Sequence, residues 1–122
     1  METDRGKMQT THGTWGNRTR TFEWDGGIAT ILVLEPNKRC SWHYHNTAYN
    51  QFYVISGKLG VKTDKGYITV LSPGNSFTVE PGVYHEFQTY EEPAVIEEIA
   101  YVKYDTGDIH RKQLGGDLEN DT

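Results

Sequence analysis

The chain has 122 residues, a net charge of -5 and a single cysteine, Cys40. That length suits one domain around one hydrophobic core. One cysteine excludes an internal disulfide, and an acidic balance with no basic run excludes a nucleic-acid partner.

Residues 1–17 are polar and aperiodic and read as an arm, with Trp15-Gly16 as its one anchoring feature. The start, Met1-Glu2-Thr3-Asp4-Arg5, has no apolar stretch of a secretory signal, so a cytoplasmic location is expected. From residue 20 short β-prone runs alternate with turn signals, in keeping with 13 glycines and 8 tyrosines. Thr21–Trp24 leads through the hairpin signal Asp25-Gly26-Gly27 into Ile28–Leu34. That second run is continuously apolar apart from Thr30, as in a strand buried on both faces, and is too short to cross a bilayer. A turn follows at Glu35-Pro36-Asn37-Lys38, in which Asn37 can adopt the left-handed conformation.

Next come Cys40–His45, Gln51–Ser56 and Leu59–Thr63, then the tight turn Asp64-Lys65-Gly66 into Tyr67–Leu71. Ser72-Pro73-Gly74-Asn75 turns the chain into Ser76–Val79, Pro81-Gly82 precedes Tyr84–Tyr90, and Glu91-Glu92-Pro93 precedes Ala94–Tyr104. About nine strands at this spacing predict an all-β sandwich or barrel, with its core over roughly 20–104. Residues 105–122 read as a polar tail in which Asp108–Lys112 forms one helical turn and the last residues are disordered.

The chemistry lies in Trp42-His43-Tyr44-His45 and in the histidine after Pro81-Gly82, His85. Side chains two apart on a strand share a face, so His43 and His45 point together. Imidazole is the commonest protein ligand for divalent transition metals, and a barrel can bring a third histidine from another strand. His43, His45 and His85 are therefore expected to hold one metal ion. Parity puts Asn50, Phe52 and Val54 on one inward face and Phe87 on the face of His85; these apolar residues line the pocket or fill the core. Glu97 and Glu98 are adjacent on the last long strand, so one of them points inward and can serve as a general acid or base, the other reading being a surface salt bridge. Tyr44 and Tyr53 alternate outward, and Gln51 faces away from Asn50. His12 and His110 fall in the terminal segments and are given no metal role.

These motifs resemble the cupin family. Its first motif runs glycine, five residues, His-x-His, three or four residues, glutamate, six residues, glycine. The counterparts are Asn37, His43-Tyr44-His45, Asn50 and Gly57. The second motif is matched by Gly74 and by Glu80-Pro81-Gly82-Val83-Tyr84-His85. The resemblance implies a double-stranded β-helix, the cupin jelly-roll barrel, in a single domain, and a divalent transition metal such as zinc, iron, nickel or manganese. Asn50 stands where the family has a metal-binding glutamate, which makes it a fourth ligand through its carbonyl oxygen or a hydrogen-bond partner of the ligands. A neutral ligand set leaves the metal's full charge, which favours an anionic or polyhydroxy substrate.

The segments around Trp15-Gly16, Tyr53–Gly57 and Ile96–Asp105 with Asp108-Ile109-His110-Arg111 are similar to cupin-type phosphomannose isomerases, although no cluster of Arg or Lys for a phosphate is evident. The expectation is a metal-dependent enzyme with isomerase-like Lewis-acid chemistry on a small sugar or sugar-acid-like substrate. Two alternatives stay open: a three-histidine iron dioxygenase, which the ligand set resembles, and a non-catalytic cupin that binds a small ligand. Small cupins of this kind resemble homodimers that pair outer strands.

Overall fold

In the computed structural model, the residues described are 10–101, 107 and 109–117. All their regular structure is extended. In chain order the strands are β1 (Thr10–Gly13), β2 (Gly16–Trp24), β3 (Gly27–Leu34), β4 (Lys38–Arg39), β5 (Trp42–Tyr44), β6 (Tyr49–Ser56) and β7 (Leu59–Thr63). They continue as β8 (Ile68–Leu71), β9 (Ser76–Val79), β10 (His85–Gln88), β11 (Ala94–Tyr101), β12 (His110–Gln113) and β13 (Gly116–Asp117).

Every pairing is antiparallel. One sheet runs β1-β2-β3-β11-β6-β9; the other runs β12-β5-β10-β4-β13, with β7 joining β10 to β8. This is the expected all-β jelly roll. Its turns obey the local chemistry read above. Gly26 (φ 86°) closes the β2–β3 hairpin, and Asn37 takes φ 56° as the one described non-glycine residue in the left-handed region.

The core comes from the inward-facing alternate residues of both sheets. Leu32, Leu34, Phe52, Val54 and Ile96 from the first sheet meet Leu59, Val61 and Phe87 from the second. Burying a side chain such as Phe52 contributes about 1.5–3 kcal/mol. Among the described residues no helix is long and apolar enough to cross a membrane.

Three sequence expectations change. The hairpin of β1 and β2 occupies much of the segment read as an arm, pairing Thr10 with Thr19; it adds β1 to the first sheet and extends the strand expected at Thr21–Trp24 back to Gly16. Trp15, at its turn, packs against the core, so the anchoring feature is used. Strand β3 is buried on both faces only in its first half: on the outward side Ala29 is buried, Ile31 half-buried and Val33 exposed, while Leu32 and Leu34 stay buried on the inward side. In the polar tail, His110–Gln113 is a strand pairing with β5 and not a helical turn; edge pairing outweighs the weak helical signal of five residues. Asp108 and residues 118–122 lie outside the described residues.

Candidate metal centre

Strand β5 carries His43, and His45 follows it directly; β10 opens with His85. His43 and His85 are directly opposite each other in the β5–β10 ladder, so their side chains leave the sheet on one face. The turn before β10 places His85. Pro81 presets its own φ, Gly82 (φ 84°) supplies the left-handed step, and Val83 N–H donates to Glu80 O at 3.3 Å. Gly82 N–H also donates to His45 O at 2.6 Å, tying the second motif to the first.

The three rings converge. Their centroids are 4.3 Å apart for His43–His85, 5.1 Å for His43–His45 and 5.5 Å for His45–His85. One nitrogen from each lies within 4.8 Å of the others, so the cluster can hold a metal ion. Hydrogen bonds settle which nitrogens are available. His43 Nδ1 donates to Ser41 O at 2.8 Å, with Ser41 Oγ also at 2.8 Å. His85 Nδ1 donates to Val83 O at 3.0 Å. Protons held at Nδ1 leave lone pairs at Nε2, the arrangement that backbone carbonyls impose on metal-ligating histidines.

Burial keeps the His43 and His85 rings neutral. Burial first, then the neighbouring His85 and His45, lower the His43 pKa to about 2, and Arg111 adds to the effect. Burial and His45 lower the His85 pKa to about 4, against the favourable bond to Val83 O. Neutral imidazole is the form that binds metal. His85 Nε2 is buried with no hydrogen-bond partner, and so is Asn50 Oδ1. Unpaired buried acceptors cost roughly 1–3 kcal/mol each. A divalent transition metal among them removes that cost, so the residues present fit one.

Asn50 sits on β6 beside β11, and its Nδ2 donates to Glu98 Oε2 at 2.8 Å. Register resolves the pair of glutamates. Glu98 faces Thr30 and Phe52 in its neighbouring strands and lines the histidine cavity, whereas Glu97 lies on the outer face with Gln51, Tyr53 and Ser76. Burial raises the Glu98 pKa; His45, the Asn50 amide and Arg18 pull it back down.

The cavity holds about 410 Å³ and opens between the two sheets. Phe87 lines it, beside His43, His45, Asn50 and Glu98. Phe52 and Val54 sit in the core, and the Phe52 ring packs 4.3 Å from Phe87 and 6.0 Å from His85. Tyr44 stacks on His110, and Asn46 Nδ2 lies 3.0 Å from His110 Nε2, so His110 belongs to the surface beside the site. His12 reaches the cavity mouth but not the histidine cluster. Sequence reasoning missed Arg18, Arg20 and Arg111, which also line the cavity; the even spacing of Arg18 and Arg20 on one strand was the only local signal.

A family profile described as the cupin domain matches residues 30–100. No curated protein is similar in sequence. Among solved structures the chain is similar to oxalate decarboxylase of Bacillus subtilis, with 18% identity, a TM-score of 0.75, and coverage of 86% of this chain and 30% of that one. It is also similar to the capsular polysaccharide assembling protein CapF of Staphylococcus aureus, with 16% identity, a TM-score of 0.77, and coverage of 89% and 33%. The DMSP lyase DddQ of Ruegeria pomeroyi matches at 17% identity and a TM-score of 0.66, over 73% of this chain and 44% of that one. The chain thus spans less than half the length of each of these structures, and the likeness is one of fold.

Proposed function

The chain belongs to the cupin family, and from that premise we propose that it is a metal-dependent enzyme acting on a small sugar or sugar-acid-like substrate by isomerase-like chemistry. The observation that carries this reading is the convergence of three imidazoles whose ligand nitrogens lie within 4.8 Å of one another, with a carboxylate, Glu98, on the amide of the neighbouring Asn50. Zinc, iron, nickel or manganese held by His43, His45 and His85 would supply Lewis acidity to a substrate carbonyl or hydroxyl oxygen.

The chain's own groups do the rest. Asn50 Nδ2 donates to Glu98 Oε2 and holds the carboxylate in one orientation. Its Oδ1 serves as a fourth ligand or as an acceptor for a substrate hydroxyl. Glu98 takes a proton from the carbon next to the substrate carbonyl and returns it to the adjacent position. A raised pKa makes its carboxylate a stronger base once ionised. Phe87 and Cys40 limit water on the cavity wall. Exposed Val33, Tyr53 and Ile55 support a homodimer paired through the outward side of the first sheet.

One observation favours a second reading. Asn50 turns its amide toward Glu98, so no charged group joins the three histidines, and that neutral set resembles the iron dioxygenases of the family. Elemental analysis separates the two, since iron points to oxygen chemistry. The isomerase reading requires solvent deuterium to enter an aldose or uronate, and Glu98→Gln must abolish that exchange while the metal stays bound. Absence of metal after reconstitution, with ligand binding unchanged in His43→Ala, overturns both enzyme readings and leaves a non-catalytic binding protein.

A further inference from the structure

We propose that the cavity selects a small organic oxyanion, a carboxylate or a phosphate ester, through three arginines that the two sheets deliver to its walls: Arg18, Arg20 and Arg111. The inference rests on the site described above but does not need the reaction assigned to it.

Arg18 and Arg20 are two apart on β2 and so share a face. Register identifies that face: Arg20 is opposite Thr30, Thr30 is opposite Glu98, and Arg18 is opposite Leu32. Thr30, Leu32 and Glu98 all line the cavity, so Arg20 stands in the cross-strand row that carries the candidate base and Arg18 in the row beside it. Arg111 comes from the other sheet. It lies directly opposite His43 in the β12–β5 ladder and lines the same cavity. The arginines therefore stand on both sides of an opening between the sheets, one of them next to a metal-ligand candidate.

Charge makes the arrangement specific. Glu98 is the one carboxylate among the described residues that line this cavity, against three guanidiniums, in a chain whose net charge is -5. Only Arg20 has a carboxylate within 4.0 Å among the described residues, Glu23 at 3.7 Å, and that pair is solvent-exposed. Like charges gathered in a concave wall repel one another and focus a positive field into the opening. An arriving oxyanion relieves that repulsion, and the planar guanidinium fork matches carboxylate and phosphate oxygens. The strands that bring these groups, β2 beside the β1 hairpin and β12, lie at one end of each sheet. The terminal segments thus give the cavity its charge.

The test uses the full chain reconstituted with zinc, with zinc content measured in every sample. Calorimetric titration compares glucuronate and glucose 6-phosphate with glucose. At least one of the two acids binds about ten-fold or more tighter than glucose, the scale of one or two hydrogen bonds to a charged group. Raising salt from about 0.05 to 0.5 M shrinks that advantage several-fold. The R18Q/R111Q double variant brings it to within about two-fold of glucose without changing zinc content; R20Q, which also loses the Glu23 contact, is the milder second variant. Which acid binds tighter identifies carboxylate or phosphate. Acids that bind no tighter than glucose, or an advantage that survives in the double variant, overturn the proposal. A chain that binds no zinc yet keeps the arginine-dependent preference would overturn the metal reading instead.

Discussion

Stripping the metal and lowering the pH should destabilise the protein in a window set by its buried histidines. In the folded chain burial lowers the His85 pKa to about 4 and the His43 pKa to about 2, whereas both titrate near 6.5 once unfolded. Below pH 6.5 the unfolded chain therefore binds protons that the folded chain refuses, so stability is full above that pH and is lost as pH falls. Each pKa unit is worth about 1.4 kcal/mol, so by pH 5 each histidine has removed about 2 kcal/mol. Together that approaches the whole stability of many small domains, about 5–15 kcal/mol. Glu98 acts in the opposite sense: its folded pKa is raised, so acidification protonates it in the folded state first and offsets part of the loss. Urea unfolding in EDTA at pH 7.5, 6.5, 5.5 and 5 measures the slope, with Glu98→Gln as the background that removes the offset. In that background His85→Gln should remove about half of the loss between pH 6.5 and 5. An unchanged slope would refute the claim that these rings are held neutral by burial.

Other outcomes follow from single residues. Glu98→Gln should stabilise the metal-free protein at pH 7, since the folded state no longer carries a carboxylate whose pKa burial has raised, and thermal unfolding with and without the substitution checks this. Phe52→Ala, at a site with no solvent exposure, should cost about 3–5 kcal/mol in urea unfolding and loosen the packing beneath His85. Gly57→Ala should cost about 1–3 kcal/mol, because φ is +76° and a Cβ would lie 2.2 Å from Pro93 O. Cys40 should resist thiol reagents in the native protein and react on unfolding, since burial pushes its thiol up.

The parts of the site that lie on strong local signals were legible in the sequence. His43 and His45 follow from strand parity, and the turn at Pro81-Gly82 announces His85. The choice between Glu97 and Glu98 was not legible, because adjacent residues on a strand differ only in register, and register depends on β3 and β6 as much as on β11. The terminal strands were missed for another reason. Thr10–Gly13 and His110–Gln113 are polar and show no alternation, and they become strands only because β2 and β5 offer them free edges. The arginine wall was hidden by distance. Arg20 and Arg111 come to line one cavity only through the packing of two sheets, and nothing in either local stretch points to the other.

The ladder position shared by His43 and His85 has a consequence for assembly. A slip of one residue between β5 and β10 would turn His85 away from His43 and point Glu86 or Tyr84 into its place. A metal ion held there would then check strand alignment: only a chain that has joined two segments some forty residues apart in the correct register presents all three nitrogens at once. Metal uptake during refolding would report when that alignment is reached, and a misaligned barrel would be marked by its inability to load.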